Sequence, residues 1–142
     1  MLAVGIYFYF YNGGWTPLHA AAQGGHKSVS SLLLAIGFNV NSQTNKGATP
    51  LYVAALNGQE AVVSLLLAKG ANADSQAKNG ATPLHAAAHN GHETVVSLLL
   101  AKEANINCQD KAGNTPEMYA LNNGHHQLAT LIKATNKGSR VS

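Results

Sequence analysis

Three histidines crowd the stretch "HAAAHNGH", with His85, His89 and His92 at spacings of four and three residues. Two imidazoles at i and i+4 share one face of a helix, and imidazole is a common zinc ligand, so His92 could complete a tridentate set. Two features oppose that reading. No Glu stands in the HExxH arrangement of a zinc protease, and a helix-stopping residue, Gly91, separates His92 from the other two. A near copy, "HAAAQGGH", keeps His19 and His26 but has Gln23 where His89 stands, so the outer pair recurs without the third ligand. Recurrence of that kind indicates structural posts.

The rest of the chain offers little else for chemistry. No nucleophile stands beside a base at a catalytic spacing, and Gly13-Gly14 is a turn rather than a phosphate loop. His125 and His126 are adjacent, so on a helix their side chains diverge by about 100° and read as a solvated pair. The expectation is no enzyme activity, no cofactor and no metal. Cys108 is the only cysteine, which excludes an internal disulfide and points to an intracellular, cytoplasmic setting.

A basic isoelectric point near 9.1 raises the question of nucleic acid. Across residues 1–132 the six lysines match six carboxylates, and the net +3 comes from Lys133, Lys137 and Arg140. Phosphate binding needs a clustered basic face, which the body of the chain lacks, so no nucleic-acid partner is expected.

The elements that would position any of these residues are set by a repeat. "WTPLHAAAQGGH", "ATPLYVAALNGQ", "ATPLHAAAHNGH" and "NTPEMYALNNGH" place Thr16, Thr49, Thr82 and Thr115 at a strict period of 33. "VVSLLLAK" recurs at 62–69 and 95–102. Such a period means stacked units, each burying a face against its neighbour.

Each Thr-Pro reads as a helix start, since Thr caps an orphan N–H and Pro is preorganised at the first helical position. Gly25, Gly58, Gly91 and Gly124 stop this short first helix. A second helix carries apolar residues on more than one stripe, as a helix between two neighbours requires. Gly37 and Gly70 end it, and Lys46-Gly47, Asn79-Gly80 and Ala112-Gly113 mark tight turns before the next Thr.

"GATPLHAAAHNGHETVVSLLLAKEANINCQD" resembles an ankyrin repeat, and all four units share the pattern. The resemblance implies an all-α solenoid of stacked helix-turn-helix units joined by β-hairpin-like loops. It covers 12–136, with repeats at about 12–44, 45–77, 78–110 and 111–136, the last a C-terminal cap. Residues 137–142 read as a disordered tail.

Two departures stand out. Glu103 occupies the place of Gly37 and Gly70, at a cost on the order of 1 kcal/mol if the backbone there stays left-handed. Residues 1–11, "MLAVGIYFYFY", are apolar and aromatic without charge. They are too few to span a bilayer, which takes about 20, and lack the basic start of a signal peptide. A truncated longer array or shifted start is one explanation; a strand-like segment packed over repeat 1 is the other.

The resemblance also implies function: members of the family bind proteins on a concave face built from loop tips and first helices. Sites four, three and one residues before each Thr, and seven and eight after it, face the partner. The residues at such sites include Trp15, Gln23, Lys46, Ala48, Leu56, Asn57, Lys78, Asn79, Ala81, His89, Asn90, Lys111, Asn114, Asn122 and Asn123. Trp15, Leu56 and His89 form the expected centre, and the chain is expected to act as a monomer. The competing reading is a passive spacer or regulatory end piece of a longer protein.

Overall fold

The computed structural model describes residues 13–141, with side chains through 135. The segment 1–11 therefore lies outside the described residues. Among the described residues there are eight helices and no strands. Each repeat supplies a pair: α1 (Pro17–Gly24) with α2 (Lys27–Ala35), α3 (Pro50–Leu56) with α4 (Glu60–Ala68), α5 (Pro83–His89) with α6 (Glu93–Ala101), and α7 (Pro116–Asn122) with α8 (His126–Val141).

The first helices start where Thr-Pro predicts. Thr16, Thr49, Thr82 and Thr115 all have extended backbone and accept a hydrogen bond from the amide three residues on. That geometry satisfies one of the donors that every helix start leaves unpaired. Packing then sorts the helices into two rows. First helices contact one another from α1 through α7, and second helices contact from α2 through α6.

The core runs along the seam between these rows. Leu18, Leu51 and Leu84, one in each of repeats 1 to 3, are completely buried, as are Val62, Val63, Leu66, Val95, Val96 and Leu99. Each side chain of this size stabilises the array by about 1.5–3 kcal/mol through removal from water. The many alanines of the first helices, Ala22, Ala54, Ala55, Ala87 and Ala88 among them, are also fully buried, so backbones approach closely there.

Two details concern the second half of the chain. Helix α8 runs to Val141. No proline interrupts it, and each added residue of a formed helix gains one backbone hydrogen bond. Glu103 does adopt the left-handed backbone of the glycines it replaces, with φ 60°.

Candidate functional site

The loop tips are fixed by three tight turns of one design. Thr44 N–H donates to Ala48 C=O at 2.9 Å, Ala77 to Ala81 at 2.8 Å and Asp110 to Asn114 at 2.9 Å. Consecutive tips are then stitched together. Asn45 N–H donates to Gly13 C=O, Lys78 to Lys46 at 3.0 Å, and Lys111 to Asn79 at 2.9 Å. The tips form a backbone ladder that presents Lys46, Lys78, Asn79 and Lys111 to solvent.

A second ladder joins the far ends of the first helices. Gln59 Nε2 donates to Gln23 C=O at 2.9 Å, His92 Nε2 to Leu56 C=O at 3.1 Å, and His125 Nε2 to His89 C=O at 3.2 Å. A carbonyl can only accept, so in both imidazoles Nε2 carries the proton. Side-chain amides reinforce the rungs: Asn90 donates to the Leu56 carbonyl at 2.7 Å, and Asn123 to His89 Nδ1 at 3.1 Å. The ladders sit at opposite ends of helices of seven or eight residues, about 10–12 Å apart.

The glycines are what let this second ladder close. A Cβ on Gly25 would fall 2.3 Å from Gln59, and one on Gly58 or Gly91 would fall 2.7 Å from the ring of His92 or His125. Gly91 also has φ +71°, a conformation unfavourable for side chains other than glycine's hydrogen. The residue serves as helix stop and as clearance for the next repeat's histidine.

The three histidines of the opening stretch do not converge. His85 is buried and its Nε2 donates forward to Asn114 C=O at 2.9 Å, whereas His92 points back to repeat 2. His85 Nδ1 accepts from Thr82 N–H at 3.0 Å, closing a reciprocal cap around the helix start. His19 does the same in repeat 1, accepting from Thr16 N–H at 3.1 Å and donating to Ala48 C=O at 2.8 Å. Burial pushes both imidazoles below the ordinary histidine range, against the carbonyl bonds that favour the proton, so both are neutral. His89 alone of the three is exposed. Among the described residues no group of three or more His, Cys, Asp or Glu could hold a metal ion.

The positions expected to face a partner divide by burial. Gln23, Lys46, Asn57, Lys78, Asn79, His89, Asn90, Lys111, Asn122 and Asn123 are exposed, while Trp15, Ala48, Leu56 and Asn114 are half-buried. Ala81 is buried, with only 1% of its surface accessible, because it closes its turn through its own carbonyl and lies among buried neighbours. Ala48 and Asn114 give their carbonyls to the framework histidines, so only their outer surfaces remain available. Trp15 leans over the His19 ring, with centroids 5.3 Å apart.

Tyr52, which stands where repeats 1 and 3 carry His19 and His85, is half-buried, and that burial raises its phenol pKa. Of the pair His125-His126 only the second is solvated, since His125 forms a ladder rung. Cys108 packs as a small turn residue, its sulfur accepting from Gln76 Nε2 at 3.3 Å. Burial raises its thiol pKa, which leaves little thiolate for chemistry.

Residue spacing misses one contact. Tyr119 O–H donates to Asp110, whose other carboxylate oxygen accepts from the Ala112 and Asn114 amides. These bonds hold the Asp110 carboxyl below the usual range, with the Tyr119 bond the largest cause. Tyr119 also packs edge-on against His85, 4.7 Å between centroids. The signal in the sequence is faint: Tyr119 stands where earlier repeats carry Ala20, Val53 and Ala86.

Among the described residues no helix is long and apolar enough to cross a membrane. No curated protein matches the chain in sequence. The family model for ankyrin repeats (3 copies) matches residues 6–77 and 54–141. With capped Thr-Pro helices, laddered tips and two rows of helices at a period of 33 residues, the chain belongs to the ankyrin-repeat family, whose members are typically non-enzymatic protein-binding modules.

Proposed function

We propose that the chain binds a protein partner on the face between the two ladders, centred on Trp15, Leu56 and His89. The observation that supports this reading is the division of labour along each repeat. Backbone groups and framework histidines lock the tips and helix ends in place, while the side chains those tips and ends carry, such as Lys46, Asn79, Gln23 and His89, are exposed and differ from repeat to repeat. A rigid platform binds without first ordering its own backbone, which removes a large entropic cost of association.

The chemistry of the face is that of a protein contact. Trp15 and Leu56 are half-buried apolar anchors, and the surrounding Gln23, Asn57, His89 and Asn90 supply hydrogen-bonding groups. Aromatic anchors ringed by polar groups carry most of the energy in protein interfaces.

Replacing Trp15, Leu56 and His89 with alanine tests the reading. The triple variant is expected to keep its helical content and cooperative melt, while a protein enriched on the wild-type chain in affinity purification is lost. Enrichment of the same protein on both chains would refute the assignment.

A further inference from the structure

His89 is exposed, yet repeat 4 holds it from three directions. His125 Nε2 donates to its carbonyl at 3.2 Å, Asn123 Nδ2 donates to its Nδ1 at 3.1 Å, and the Tyr119 ring packs edge-on with centroids 6.1 Å apart. Tyr119 is fixed in turn, its O–H bound to Asp110 and its ring against the buried His85.

These bonds also decide the polarity of the imidazole. Asn123 Nδ2 donates to Tyr119 C=O at 2.8 Å, and a carbonyl can only accept, so that atom is the amide nitrogen. Its second hydrogen faces His89 Nδ1, which is therefore the unprotonated ring nitrogen. The neutral ring carries its proton on Nε2, on the far side of the ring from Asn123.

Among the described residues this combination occurs at one junction. Asn57 makes the same bond four residues back, to Val53 C=O at 2.8 Å, but the preceding repeat carries Gln23 where an imidazole would stand. Asn90 reaches to the Leu56 carbonyl at 2.7 Å, and the Leu56 side chain has nothing to polarise. Ala20, Val53 and Ala86 occupy the place of Tyr119 in the earlier repeats.

Building on the contact face proposed above, we infer that Asn123 and Tyr119 preset His89 as a hydrogen-bond donor, so that the protein partner presents an acceptor opposite Nε2. An acceptor meets a ring that is already ordered, which lowers the entropic cost of association. A donor placed there is buried without a partner, which selects against it. Asn123 and Tyr119 act through His89 and are positioning residues.

Nitrogen-15 spectra of the imidazole rings in the full chain, taken well above the histidine titration range, test the presetting without any partner. Wild type is expected to carry the His89 proton on Nε2. Asn123→Asp is expected to move it to Nδ1, because a carboxylate accepts and cannot donate. Asn123 is exposed, so the variant keeps its helices, as circular dichroism will report. A proton shared between the two nitrogens in wild type, or left on Nε2 in the variant, would overturn the inference. The protein identified on wild type by affinity purification, once purified and titrated, tests the polarity. His89→Gln can accept from Asn123 through Oε1 and donate outward through Nε2, and is expected to retain affinity. His89→Glu offers only acceptors and is expected to weaken binding at least about tenfold. Loss with Gln, or full affinity with Glu, would overturn the inference while leaving the contact face standing. The contact face fails separately, when the Trp15, Leu56 and His89 alanine variant still binds the same protein.

Discussion

Repeats 3 and 4 share a register but not an environment. In repeat 3 six consecutive residues, Pro83 to Ala88, are buried; in the equivalent helix of repeat 4 only Pro116 and Ala120 are. Repeat 3 has a neighbour on either side, and repeat 4 has one on its preceding side alone among the described residues. The residues follow suit: Leu84 becomes Glu117, and Ala88 becomes Leu121, which is 43% exposed. Burial in this molecule is conferred by the adjacent unit, so the same position is core in one repeat and surface in the next.

The largest contrast should come from removing side chains on the two sides of that divide. Leu84→Ala is expected to cost about 2–5 kcal/mol, as for other fully buried leucines. Leu121→Ala should cost under about 1 kcal/mol. Urea titrations of both variants check this, and similar losses would mean that the face of repeat 4 is covered after all.

Glycines give the next contrast. Gly91 and Gly124 have φ +71° and +80°, so either alanine strains the backbone by on the order of 1 kcal/mol. A Cβ on Gly91 also meets the His125 ring, while nothing lies within 4 Å of one on Gly124. Gly91→Ala should therefore be the worse by at least about 1 kcal/mol, since the ring must leave its bond to His89. Equal melting temperatures would contradict the clearance role.

Glu103→Gly moves in the other direction. The left-handed backbone at Glu103 favours glycine, which Gly37 and Gly70 supply in repeats 1 and 2. A gain of about 1 kcal/mol is expected, read as a raised melting temperature.

The smallest effect concerns acid. Burial depresses the folded-state pKa of His19 and His85 below the unfolded 6.5, so folding favours their neutral forms. Their contribution is complete above 6.5 and declines as pH falls from there toward the folded-state pKa values, because the unfolded chain takes up protons first. Repeats 2 and 4 carry Tyr52 and Met118 at this post and lack the effect. Replacing both histidines with tyrosine should flatten the melting temperature between about pH 7 and pH 5, and an unchanged slope would assign the loss to other groups.

Much of this was legible in the residues. Thr-Pro marks the helix starts and glycine their stops, because capping and left-handed backbone depend on local chemistry alone. The framework role of His85 and His92 followed from their recurrence on the 33-residue grid. Contacts that depend on a neighbour were not legible. Ala81 counted as a contact site by its place before Thr82, yet packing buries it. The Tyr119–Asp110 bond joins a tip to a helix nine residues away and has no counterpart in earlier repeats from which to infer it. The apolar length of α2 reads as core in sequence, yet Val29, Leu32 and Ile36 are exposed, since no helix among the described residues packs on that side of α2.

The central claim is that recognition belongs to the face between the ladders and not to the outer helices. Ser31, Ser64 and Ser97 occupy one exposed position on α2, α4 and α6 and provide the matched control. Quantitative affinity purification should compare wild type, the Trp15, Leu56 and His89 alanine variant, and a Ser31, Ser64 and Ser97 alanine variant. The account predicts that a partner enriched on wild type is retained by the serine variant and lost by the other. Loss in the serine variant with retention in the first would contradict it.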